Sequence, residues 1–218
     1  MEKTIEKRKI QSKRRYILAF LIGTLLFLLV FGFTYSLSYF EYQRISGLNQ
    51  ELSYGIFKDK LYFSLFNKDL CSLSSFEKVS EDLRFQGDLI NTFERKFGKS
   101  DKNVLFKKQF YGLVELEHFE FVNQINQRCN STIQTILFFY SNNEDEIISS
   151  EEVGRLLDVV SAQNKNLIIY SFDLNIKDDL INELKLKYRI ENSPTILINQ
   201  KDKIFYPKNI DQIEQYLG

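Results

Sequence analysis

The stretch YILAFLIGTLLFLLVFGFTYSLSYF, Tyr16 to Phe40, runs for 25 residues without a charge. At about 1.5 Å per residue, a helix of that length exceeds the roughly 30 Å hydrocarbon core of a bilayer. It predicts one transmembrane helix over residues 16–40, with Tyr16, Tyr35 and Tyr39 as interfacial anchors. The preceding segment, 1–15, carries seven Lys or Arg against Glu2 and Glu6, although the chain as a whole has a net charge of zero. Such a run could bind nucleic acid, but the apolar segment behind it makes it a cytoplasmic basic tail. The positive-inside rule then places everything after Phe40 outside the cytoplasm, so the expected location is the cell membrane, single-pass. A cleaved signal peptide competes, helped by the Ser36, Leu37, Ser38 trio. Against it, the apolar run is much longer than the roughly 7 to 15 residues of a signal h-region.

Residues 41–130 read as an extracytoplasmic helical segment. Ile45, Leu48, Leu52 and Ile56 continue a helical spacing beyond the membrane. Ser74 with Glu77 forms a capping box for a helix whose apolar positions are Phe76, Val79, Leu83, Ile90, Phe93 and Phe97, with a gap at Gln86. Gly98 is a stop signal, and a second helix follows from about Lys102 to Gln127 with Phe106, Phe110, Leu113, Val114, Phe121 and Ile125 as its stripe. Two helices of nearly equal length form an antiparallel hairpin. Cys71 and Cys129 flank it and come together at its open end, so a disulfide is expected in an exported domain; two buried free thiols are the alternative. His118, the one histidine, lies among Glu115, Glu117 and Glu120 and reads as a solvated residue rather than a metal ligand. Asn130-Ser131-Thr132 is a candidate glycosylation sequon at Asn130.

From residue 131 to 218 the pattern alternates strand and helix, in the order βαβαββα. TIQTILFFYS is a buried strand, Ser149 with Glu152 caps a helix bearing Val153, Leu156, Leu157 and Val160, and NLIIYSFD is a second strand. A helix with Leu180, Ile181, Leu184 and Tyr188 follows, then TILIN and KIFY around the turn QKD, then a terminal helix with Ile210, Ile213 and Leu217. This order, with Pro194 opening the third strand in RIENSPTILIN, resembles the thioredoxin-like fold, closest to its short glutaredoxin-like form. The whole chain resembles membrane-anchored thioredoxin-like proteins of prokaryotes, particularly archaeal ones. The fold class expected is therefore α/β, a thioredoxin-like carboxyl-terminal domain preceded by a transmembrane helix and a helical hairpin.

The resemblance implies a cis-proline at Pro194, with the backbone of Ser193 offered to an extended peptide beside the loop that holds Asn142 and Asn143. It also places the two cysteines of the redox motif at Asn143 and Glu146, which cannot form a disulfide, and sets Leu137 where many members bury an acid. The acidic loop Asn142 to Glu146 could bind a cation, though consecutive acids on a loop are more often solvated. No Gly-rich phosphate loop, nucleophile-His pair or metal-ligand cluster is present in the sequence, so no catalytic residue, metal or cofactor is expected. The expected partner is an exported or membrane protein rather than nucleic acid. Two other readings stay open: an oxidoreductase accessory using Cys71 and Cys129 as a reversible pair, and a purely structural subunit of a membrane complex.

Overall fold

The computed structural model describes residues 13–66, 71 and 73–217, and the side chains of all of these except 63–66, 73–76 and 78. Most of the basic tail and the Ser74 side chain lie outside these; the helix that Ser74 is expected to cap already begins at Leu73, so Ser74 falls within it. The first helix, α1, runs Lys13–Phe66, and the chain divides into two compact units, Met1–Gln50 and Glu51–Gly218.

In the first unit α1 is long and apolar enough to cross a membrane. Its large apolar side chains face outward all round. Three of its hydroxyls are satisfied within the helix. Thr24, Thr34 and Ser36 each donate to the carbonyl four residues earlier, at Phe20, Val30 and Gly32.

In the second unit the end of α1 is followed by α2 (Leu73–Phe97) and α3 (Lys102–Arg128). Val79, Leu83, Ile90 and Phe93 of α2 are buried, as their spacing predicts, but Phe97, at the end of the helix beside Gly98, is exposed. Gln86 is no gap in that face: it is buried and its side-chain amide donates to the buried carboxylate of Asp59. Gly98 takes a positive φ of 91°, which ends α2, and the Asp101 carboxylate caps α3 by accepting from the amides of Asn103 and Val104. Cys71 and Cys129 are joined as a disulfide.

Of the expected stripe on α3, Val114, Phe121 and Ile125 are buried and Leu113 is half-buried, but its first turns differ. Phe106 and Phe110 point outward, while Val104, Lys108, Glu115, His118 and Val122 turn inward. His118 is 0% exposed, so its reading as a solvated residue is wrong. The apolar count favoured the phenylalanines, but α3 rotates to present polar groups to the sheet, each of which finds a partner there.

The remaining elements are β1 (Gln134–Tyr140), α4 (Ile147–Gln163), β2 (Leu167–Asp173), α5 (Asp179–Tyr188), β3 (Thr195–Ile198), β4 (Asp202–Phe205) and the single-turn α6 (Asp211–Glu214). The sheet order is β2-β1-β3-β4; β1 and β2 are parallel, β3 is antiparallel to β1, and β4 to β3. Alternation along β1 sends Ile136 and Phe138 to one face and Leu137 and Phe139 to the other. The first face packs on Val153, Leu157 and Val160 of α4 and on Ile213 of α6. The second packs on Leu83 of α2, Val114 and Phe119 of α3, and Ile181 and Leu184 of α5. Burial on both faces explains why β1 reads as an unbroken apolar run. Helix α4 begins two residues before the proposed Ser149 cap, and the Ser149 hydroxyl donates back to the Glu146 carbonyl instead. Leu180, expected on the inner face of α5, is exposed, because the Asp178 cap sets the start of the helix and turns Ile181 and Leu184 inward. The Ser193-Pro194 peptide is cis.

Candidate functional site

The carboxyl ends of β1 and β2 and the start of β3 lie at one end of the sheet. The loop after β1 is held there by its own polar side chains. The Ser141 amide donates to Ser150 Oγ (3.1 Å) and the Asn142 amide to Asn175 Oδ1 (2.6 Å). Asn175 Nδ2 in turn donates to Asn143 Oδ1 (2.7 Å), and Asn142 Nδ2 donates to Asp173 Oδ2 (2.7 Å). The side chains of both Asn142 and Asn143 are therefore engaged, with Asn143 exposed and Asn142 half-buried.

Asp173, at the end of β2, ties this loop to the helices. Lys108 of α3 reaches Asp173 Oδ2 at 2.5 Å and Glu94 Oε1 of α2 at 2.7 Å, with its ammonium 5.0 Å from the centre of the Tyr140 ring. Burial by itself would lower the Lys108 pKa, but Tyr140, Asp173 and Glu94 outweigh it and hold the lysine protonated. One buried ammonium thus binds α2, α3 and the loop after β1 into a single arrangement. These groups border a cavity of about 160 Å³, with Glu115 on its wall.

Continuing the β1–β3 register one and two places past Phe139↔Thr195 sets Pro194 and Ser193 opposite Tyr140 and Ser141. Both are buried. The Pro194 carbonyl accepts from the Tyr206 amide. Among the described residues, neither the Ser193 hydroxyl nor its amide and carbonyl has a hydrogen-bond partner. A buried hydroxyl without a partner is unusual enough to need a reason. Asn192, just before it, is exposed.

The free edge of β2 is covered by α3. Glu115 Oε1 accepts from the Ser171 amide (3.0 Å), His118 Nδ1 pairs with the Tyr170 hydroxyl (2.8 Å), and His118 Nε2 with Ser80 Oγ (3.1 Å). A carboxyl group that occupies an edge amide stops another strand from pairing there. Glu115 is pushed up to about 8 by burial, against the Ser171 amide, the Tyr111 hydroxyl and Lys108. His118 is pulled down to about 4 by burial and by Arg84.

The two groups act on stability with opposite signs. For Glu115 the folded pKa lies above the ordinary 4.5, so its stabilising protonation is complete below that value and is lost as pH rises toward 8. For His118 the neutral form is favoured, so its contribution is complete above 6.5 and is lost as pH falls toward 4. Glu115→Gln keeps an acceptor for Ser171 and removes the titration. In denaturant unfolding, the variant should gain about 3 kcal/mol over the wild type at about pH 8 and match it at about pH 5. An equal difference at both values would mean that Glu115 is ionised in the fold.

Asn130 and the two cysteines lie away from this end of the sheet. Asn130 is exposed, with a positive φ of 51°, immediately after the half-buried Cys129; Cys71 is exposed. Asn143 and Glu146, at the positions that the resemblance gives to redox cysteines, sit in the turn entering α4. Among the described residues, no group of three or more His, Cys, Asp or Glu is placed to hold a metal ion. No protein-family model matches the chain, and neither does any curated protein or solved structure.

Proposed function

We propose that the chain is a redox-inactive, membrane-tethered thioredoxin-like module that binds an extended segment of an exported or membrane protein at the extracytoplasmic face. The observation that carries this reading is Ser193, whose hydroxyl and main chain lack partners among the described residues, just before β3 and next to the loop after β1. An extended peptide laid there gains main-chain hydrogen bonds without needing a thiol. The order βαβαββα with the sheet order β2-β1-β3-β4 supports the thioredoxin-like reading. The apolar α1 and the basic residues before it support the tether, with the amino terminus in the cytoplasm.

A photo-crosslinking residue introduced at the exposed position 192 of the full chain, in its own membranes, should trap an extracytoplasmic segment of another protein. The same residue at position 155, on the exposed face of α4, should trap little. Equal capture at the two positions, or none at 192, would remove binding from this end of the sheet.

The second reading, an oxidoreductase accessory, is favoured by the exposure of Cys71 in the Cys71–Cys129 pair. Exchange begins with thiolate attack on an accessible disulfide sulfur.

A further inference from the structure

A groove of about 450 Å³ runs between α1, at residues 52–60, and α3. Phe57, Phe106 and Phe110 line it and leave 61%, 59% and 46% of their surfaces in water. The Phe106 and Phe110 rings meet edge to face at 4.9 Å. These are the side chains that the spacing of α3 would assign to a core, and the fold gives them none. Contiguous exposed aromatic surface of this kind marks an interaction site.

The walls restrict what can occupy it. Both are helical, with Ile56 and Lys60 four residues apart on one side and Phe106 and Phe110 four apart on the other, so the groove offers no strand edge to an extended peptide. Its charges are of both signs: Lys60 and Lys107 are balanced in part by Glu117. An anionic lipid would be attracted by the lysines but repelled by Glu117. A helical face with apolar residues and charges of both signs fits the groove best, and the groove is itself such a face.

We propose that this surface joins two copies of the chain across a two-fold axis, with the phenylalanines at the centre and Lys60 of each copy facing Glu117 of the other. An isologous contact needs a patch complementary to itself, and the mixture of signs provides that. This surface is separate from the Ser193 end of the sheet, so either proposal can fail without the other.

The test uses full-length chains reconstituted in lipid bilayers, labelled for energy transfer between copies. The wild type should pair, and Phe110→Asp should abolish pairing. Lys60→Glu alone and Glu117→Lys alone each put like charges together at both contacts, and each should weaken pairing by at least about tenfold. Mixed one to one, the two variants place opposite charges at both contacts and should recover wild-type pairing. Recovery also shows that both variants are folded, and thermal melting of each alone provides the same check. A wild type that remains monomeric, or a mixture of folded variants that pairs no better than either alone, overturns the proposal, including the case in which the groove holds lipid or a different protein.

Discussion

Replacing Lys108 with methionine is expected to cost about 3–5 kcal/mol of unfolding free energy, the effect of leaving buried carboxylates without their counter-ion. Methionine has a similar length and fills the space, so the loss reports charge rather than volume. Glu94 and Asp173 would both lose their ammonium. Asp173 also holds the Asn142 side chain, so the loop after β1 should loosen along with the helices. Equilibrium denaturation measures the first effect, and amide exchange at residues 141–146 the second. Combining Lys108→Met with Glu94→Gln and Asp173→Asn should recover much of the loss, because no unpaired charge then remains. A loss under about 1 kcal/mol for the single variant would mean that water reaches these groups.

Removing the disulfide with Cys71→Ser and Cys129→Ser together should cost about 4 kcal/mol in the chain-entropy treatment, because the bridge closes a loop between residues 58 positions apart. Against a typical total of about 5–15 kcal/mol, that is a large share. The loop encloses α2 and α3, whose inner faces carry Gln86, Glu94, Lys108, Glu115 and His118, each with a polar partner to be matched on folding. Without the bridge, denaturant unfolding should show a lower midpoint. An unchanged midpoint would place the stability of the hairpin in its packing alone.

Those same polar residues separate what the sequence makes legible from what it does not. The carboxyl-terminal elements are readable because apolar side chains fill them: β1 is apolar on both faces, and Val153, Leu157 and Val160 mark the inner side of α4 at helical spacing. Helix α2 is readable for the same reason except at Gln86, whose burial depends on Asp59, 27 residues earlier in the chain, and at Phe97, which the helix end leaves in water. Helix α3 misleads in its first half, where Phe106 and Phe110 face outward, whereas Val114, Phe121 and Ile125 are buried as their spacing predicts. A second stripe, Val104, Lys108, Glu115, Phe119 and Val122, has equally regular spacing, but a lysine and a glutamate in it argue for solvent until Asp173, Glu94 and Ser171 are known to face them. His118 fails likewise, since Tyr170 and Ser80 come from other elements. At the candidate site, Ser193 and Pro194 stand out in sequence through the start of β3. The Asp173–Asn175 network that holds the loop does not, because its members meet only after β1 and β2 have paired.

The central claim, a binding module without thiol chemistry, is tested most directly by insulin reduction in the presence of dithiothreitol, using the purified full-length chain. Under the proposed thioredoxin-like reading Asn143 and Glu146 would stand where redox cysteines are found, and the Cys71–Cys129 bridge closes a long loop, so turnover should equal the protein-free rate. An acceleration that disappears in the Cys71→Ser variant would contradict the claim and make the disulfide the working site.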